Sequence, residues 1–141
     1  MKTFKEFLNE RSSPVSKVVL PKVTKQQLRD MILNGEDINT VDYSDVSDMS
    51  WMFQECSSLV EIPHLDTSKV TEMRWMFEGC SSLKEIPHLD TSKVTDMRYM
   101  FNGCSRLEYL PNPLQFKDYS WSKIKHPKIY QNYPELFEES K

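Results

Sequence analysis

Three windows of the chain place apolar side chains at i, i+3, i+4 and i+7: Met49, Met52, Phe53, Cys56; Met73, Met76, Phe77, Cys80; Met97, Met100, Phe101, Cys104. That spacing predicts a short helix with one buried face in each window. Ser47, Thr71 and Thr95 stand at the N-cap position, each followed by Asp48, Glu72 or Asp96, where a helix dipole favours a carboxylate. Gly79 and Gly103 fall where a helix of about two turns needs a left-handed C-terminal residue, and Glu55 replaces them in the first window. The Leu-x-x-Ile/Leu-Pro that follows, as in Leu59, Ile62 and Pro63, predicts a very short strand stopped by the proline.

The windows belong to an internal repeat. VSDMSWMFQECSSLVEIPHL (46–65), VTEMRWMFEGCSSLKEIPHL (70–89) and VTDMRYMFNGCSRLEYLPNP (94–113) recur at a period of 24 residues, joined by two copies of LDTSKV. A degenerate earlier copy is visible in Ile38, Val41, Asp42, Ser44 and Val46, so the array runs over 36–113. No unit can bury its apolar face alone. Stacked units share a core and pair their strands as a parallel ladder at about 4.8 Å, so the expected fold class is α/β, each repeat contributing a short strand and a short helix.

Both ends of such a stack need covering. Thr24-Lys-Gln-Gln27 is a capping box, Leu28, Met31 and Ile32 form an apolar stripe and Gly35 is a stop, which makes 18–35 an N-terminal cap helix with its lead-in. Residues 114–141 are a tail rich in aromatics and proline, whose Phe116, Trp121, Ile124, Tyr130, Leu136 and Phe137 can shield the last repeat. Residues 1–17 hold an amphipathic segment with Phe4, Phe7 and Leu8 on one side, then the turn-prone RSSPVSK.

A chain of 141 residues with 38% hydrophobic and 28% charged content supports one modest domain. Its net charge of −3 argues against tracking a phosphate backbone. No stretch approaches the roughly 20 apolar residues of a membrane span, and MKTFKEFLNE lacks an uninterrupted apolar signal core, so the expected location is intracellular or intravirion. Cys56, Cys80 and Cys104 sit at one repeat position and read as reduced packing residues. There is no nucleophile elbow, phosphate-cradling glycine loop or HExxH, so the expectation is no enzyme, no cofactor and no metal.

Two repeated surfaces are candidate partner sites. On a helix with Met49 inward, Trp51 lies about 200° away, as do Trp75 and Tyr99 in their units. An outward aromatic row flanked by Arg74 and Arg98 combines residue types enriched in binding hot spots. The alternative is a 3₁₀ turn in which each ring lies on its own neighbours. The strand-bearing surface offers Glu61, His64, Glu85, His88 and Tyr109, with Glu61 and Glu85 facing each other across paired strands. Two imidazoles without a third ligand make a poor zinc site, so His64 and His88 read as solvated.

The string LDTSKVTEMRWMFEGCSSLKEIPH resembles the BspA-like leucine-rich repeat of bacterial and mycoplasma surface proteins, over residues 38–111. That resemblance implies a short right-handed leucine-rich-repeat solenoid used for adhesion or partner binding, with no catalytic residues. Met1-Lys2-Thr3 with Glu6-Phe7-Leu8 and Glu10 resembles the capsid-targeting segment of internal head proteins in T-even-type bacteriophages, with a cleavage pattern at Leu8-Asn9-Glu10. Together they imply a bacteriophage accessory protein in the host cytoplasm or the virion, binding a host bacterial or virion protein. A packaged structural capsid component and a surface adhesin fragment are the other expectations.

Overall fold

The computed structural model describes residues 18–138. In chain order these form helix α1 (Lys25–Leu33), a 3₁₀ turn Ile38–Thr40, the 24-residue repeats, a 3₁₀ turn Pro113–Phe116, helix α2 (Pro127–Asn132) and a 3₁₀ turn Pro134–Phe137. At the start of α1 the Gln27 amide donates to Thr24 Oγ1 at 3.1 Å, and the Thr24 amide donates to Gln27 Oε1 at 2.9 Å, so two orphan donors are satisfied reciprocally. Leu28 and Ile32 are the buried face of α1. The segment at 1–10, its cleavage pattern and the linker to residue 17 lie outside the described residues.

The expected α/β solenoid, with a strand and a helix in every repeat, is overturned. Among the described residues there is no β-strand, only isolated parallel bridges: Lys22 with Asp42, Asp48 with Glu72, Glu72 with Asp96, and Glu85 with Tyr109. The windows expected as helices are successive turns. In the first, the amides of Met52, Gln54 and Cys56 donate to the carbonyls three residues back, Met49, Trp51 and Phe53, at 3.3, 3.1 and 3.1 Å. Trp51 has φ +59°, which reverses the hand of the backbone and stops any helix there. The apolar spacing cannot separate these arrangements, because both return to the core every three or four residues.

Backbone amides that a helix would use internally instead reach the next repeat. Met49, Trp51, Phe53 and Glu55 donate to the carbonyls of Glu72, Arg74, Met76 and Glu78 at 2.9, 3.0, 2.9 and 2.7 Å. Met73, Trp75, Phe77 and Gly79 repeat the pattern onto Asp96, Arg98, Met100 and Asn102 at 2.9, 3.0, 2.9 and 2.8 Å. The ladder therefore falls where helices were expected. The Leu-x-x-Ile-Pro segments, expected as strands, contribute only the Glu85–Tyr109 bridge, and Pro63 and Pro87 have no amide to donate.

Side chains reinforce the stack at fixed offsets. Phe53, Phe77 and Phe101 form a buried column with ring centroids 5.7 and 5.8 Å apart and near-parallel planes. The thiols of Cys80 and Cys104 donate to the carbonyls of Phe53 and Phe77, each at 3.1 Å. Buried Thr67 bridges two repeats, its hydroxyl accepting from the Asp90 amide at 2.8 Å and donating to the Asp90 carbonyl at 2.9 Å. Gly103 is required by closeness: a Cβ there would meet the Gly79 backbone nitrogen at 3.0 Å, and its φ is +83°.

The tail completes the inner column with different residues. The Trp121 ring stacks on Phe101 at 5.3 Å with planes 10° apart. Tyr119 Oη accepts the Phe101 amide at 2.9 Å, the place a fourth repeat's carbonyl would take. His126 Nε2 reaches the Phe101 carbonyl at 2.8 Å, the role that the Cys80 and Cys104 thiols play one and two repeats earlier. At the other end, Lys25 Nζ on α1 donates to the Ser50 carbonyl at 3.0 Å.

Candidate interaction surface

Trp51, Trp75 and Tyr99 occupy left-handed backbone positions, with φ of +59°, +57° and +59°. Bulky side chains rarely adopt that region, and each such residue costs about 1–2 kcal/mol against the right-handed alternative. The conformation is held by the ladder on one side and the turn on the other: the Trp75 amide donates to Arg98, and its carbonyl accepts from Glu78 at 3.1 Å. Glycine would fit there without strain, and Gly35, Gly79 and Gly103 all occupy that region. Two tryptophans and a tyrosine in its place mean that the rings contribute something the backbone does not require.

Left-handed geometry also explains why these rings project outward, since no helix is present to turn them. Trp51 is 42% exposed, Tyr99 54%, and Trp75 between them is half-buried. Trp75 and Tyr99 stack at 4.3 Å between centroids with planes 24° apart. Arg74 lies over the Trp51 ring with its guanidinium carbon 4.9 Å from the centroid, a cation–π contact inside the row. The structure thus brings Trp51, Arg74, Trp75 and Tyr99 together. Arg98 joins them at the edge, forked onto Asp96 by Nε–Oδ1 at 3.1 Å and Nη2–Oδ2 at 2.9 Å.

Carboxylates flank the rings. Asp48, Glu72 and Asp96 run in bridge register along one side, and Glu78, bonded to Gln54, lies along the other. The Arg98 fork holds the Asp96 carboxyl below its usual range, with burial opposing the shift. Partial burial pushes the Asp48 carboxyl up, but hydrogen bonds from Ser50 outweigh it and the net shift is downward. Arg74 Nε is buried without a hydrogen bond, 3.8 Å from Asp96 Oδ2.

The second predicted surface is less organised. Glu61, His64, Glu85, His88 and Tyr109 are all exposed, but only Glu85 and Tyr109 are bridged. The Lys84 carbonyl accepts the amides of Glu108 and Tyr109 at 2.8 and 3.2 Å. Glu61 and Glu85 do not face each other in paired strands. Among the described residues no three His, Cys, Asp or Glu side chains cluster closely enough to hold a metal ion.

Chemistry inside the stack is quiet. Burial pushes the Cys80 thiol up to about 12 and raises Cys104 as well, so both are neutral donors at ordinary pH. Burial lowers the His126 imidazole, and with Nε2 donating to the Phe101 carbonyl the unpaired Nδ1 is a bare acceptor. In Asp42, Asp66 and Asp90, hydrogen bonds from Ser44, Ser68 and Ser92 hold each carboxyl below its usual range. Those Asp-x-Ser turns precede the Val46, Val70 and Val94 that lead into each ladder segment.

Sequence reasoning missed Thr67, His126 and the left-handed positions. The signal for the last was present: Glu55, Gly79 and Gly103 share a repeat position with positive φ, and the aromatic stands four residues earlier in every repeat.

A family model described as "Mycoplasma protein of unknown function, DUF285" matches residues 22–128, more than half of the chain. The chain belongs to that family. Neither a curated protein nor a solved structure matches it. Among the described residues no helix is long and apolar enough to cross a membrane.

Proposed function

We propose that this chain is a non-enzymatic protein-binding module, a bacteriophage accessory protein that engages a host bacterial or virion protein through Trp51, Trp75 and Tyr99. The observation that carries the reading is the strained, exposed aromatic row: strain of this kind concentrates at functional sites, and Trp, Tyr and Arg dominate interface hot spots. The 24-residue stacking spaces the rings regularly, so a partner meets a preformed column at little ordering cost. The phage setting rests on the resemblance of residues 1–10 alone.

Affinity capture from host lysate with the intact protein, run beside a Trp75→Gly variant, tests this. A partner retained by the wild type and lost by a folded Trp75→Gly protein supports the reading. Equal retention by both contradicts it.

A further inference from the structure

The repeats supply a rule for what pairs with what, and the third repeat breaks it. In repeats one and two the Met and aromatic amides donate to carbonyls of the following repeat, and the Thr71 carbonyl accepts the Thr95 amide at 2.8 Å. At the third repeat, among the described residues, nothing accepts from the amides of Met97 and Tyr99, and nothing donates to the Thr95 carbonyl. The tail closes the inner column through Trp121, Tyr119 and His126 but leaves this edge open. Lys123, one period after Tyr99, lies over the Tyr130 ring instead.

A groove of about 660 Å³ runs along that edge, lined by Thr95, Met97 and Tyr99 on one side and Tyr119, Ser120 and Trp121 on the other. Its volume falls in the range of about 300–1,000 Å³ typical of ligand sites. The outer ring column ends there on Tyr99, which is stacked by Trp75 on one side only.

We propose that this groove binds an extended peptide segment of a partner protein, in parallel register with Thr95–Tyr99. One peptide N–H donates to the Thr95 carbonyl, two carbonyls accept from the Met97 and Tyr99 amides, and an aromatic side chain stacks on Tyr99. Each of these contacts already exists one repeat earlier, where Thr95, Asp96, Arg98 and Tyr99 make them to Thr71, Met73 and Trp75. Addition of an extended segment to an exposed backbone edge is a recurrent recognition mode. A second copy of the chain is disfavoured as the occupant, because the complementary edge of its first repeat is occupied by α1, with Lys25 bonded to the Ser50 carbonyl. The site shares Tyr99 with the surface proposed above but rests on the open backbone edge, not on that reading.

The probe is acetyl-Thr-Glu-Met-Arg-Trp-amide, the sequence of residues 71–75, titrated into the intact isotope-labelled protein. Saturable binding should slow hydrogen exchange of the Met97 and Tyr99 amides and leave the already bonded Trp51 and Trp75 amides unchanged. N-methylation of the probe's threonine nitrogen should weaken binding about fivefold, the worth of one hydrogen bond. Replacing the probe's tryptophan by alanine should weaken it by up to about tenfold. Lack of saturation at millimolar probe, perturbation centred on Trp51, or equal binding of the N-methylated probe overturns the proposal. Slowing of the same amides with protein concentration alone also overturns it, assigning the edge to a second copy. Loss of partner capture by Trp75→Gly, with the probe still bound at Tyr99, separates the two proposals.

Discussion

Two columns of aromatic rings run through the same repeats, two residues apart in sequence, and they are built differently. Phe53, Phe77 and Phe101 are wholly buried, stack in parallel and have a substitute fourth ring, Trp121, supplied by the tail. Trp51, Trp75 and Tyr99 are partly exposed, sit in strained backbone and end on an uncovered ring. The chain closes the column that stability requires and leaves open the one it does not. A purely structural outer column would be expected to receive the same terminal cover.

The most damaging way to break the comparison acts on the inner column. Phe77→Asp, or Met76→Asp beside it, places an unpaired charge at a fully buried position and should cost more than about 4–5 kcal/mol, enough to abolish the cooperative melt. A native-like thermal transition in either protein would contradict the assigned core. Trp121→Ala removes the substitute ring and should cost about 2–3 kcal/mol, below the range for a fully buried tryptophan because Trp121 is only partly buried. Denaturant titration checks the value, and a loss within about 0.5 kcal/mol would mean that the tail does not close the stack.

Smaller effects sharpen the account of the hydrogen-bonded seam beside the inner column. Cys80→Ala and Cys104→Ala should each cost about 1 kcal/mol through a lost thiol contact and lost packing, without changing partner capture. Loss of capture by either folded variant would point to a role for the thiol beyond packing. Burial holds His126 neutral below its ordinary 6.5, whereas in the unfolded chain it takes up a proton near that value. The unfolded state therefore binds more protons on acidification, and the His126 contribution, present above about pH 6.5, is lost below it. Melting temperature should fall between pH 7 and pH 5, and His126→Gln, which keeps a donor for the Phe101 carbonyl, should flatten that slope. The depressed carboxylates of Asp42, Asp66, Asp90 and Asp96 act lower, as pH falls through 3.8, so they do not obscure the test. An unchanged slope in His126→Gln would contradict the buried neutral imidazole.

The sequence revealed the repeat, its core side chains and the Thr24–Gln27 cap because these depend on periodicity and local capping chemistry. It did not reveal the secondary structure. Met49, Met52, Phe53 and Cys56 return to the core at the same spacing in a helix and in a run of turns, and only the sign of φ at Trp51 distinguishes the two. The outward direction of Trp51, Trp75 and Tyr99 was legible from their place among inward neighbours, although the helix invoked for it is absent. The roles of Thr67, Tyr119 and His126 were hidden because each bonds to backbone about one period away, and a hydroxyl or imidazole satisfies a carbonyl without any repeat signature.

The central claim is that the outer column serves binding and not stability. Equilibrium unfolding of Trp51→Gly, Trp75→Gly and Tyr99→Gly tests it directly, because glycine relieves about 1–2 kcal/mol of left-handed strain while removing a stack worth about 0.5–1.5 kcal/mol. The account predicts stabilities within about 1 kcal/mol of the wild type for all three, the difference between those two contributions. A loss of more than about 2 kcal/mol in Trp75→Gly, beyond what the stack supplies, would show that the ring belongs to the core and would contradict it.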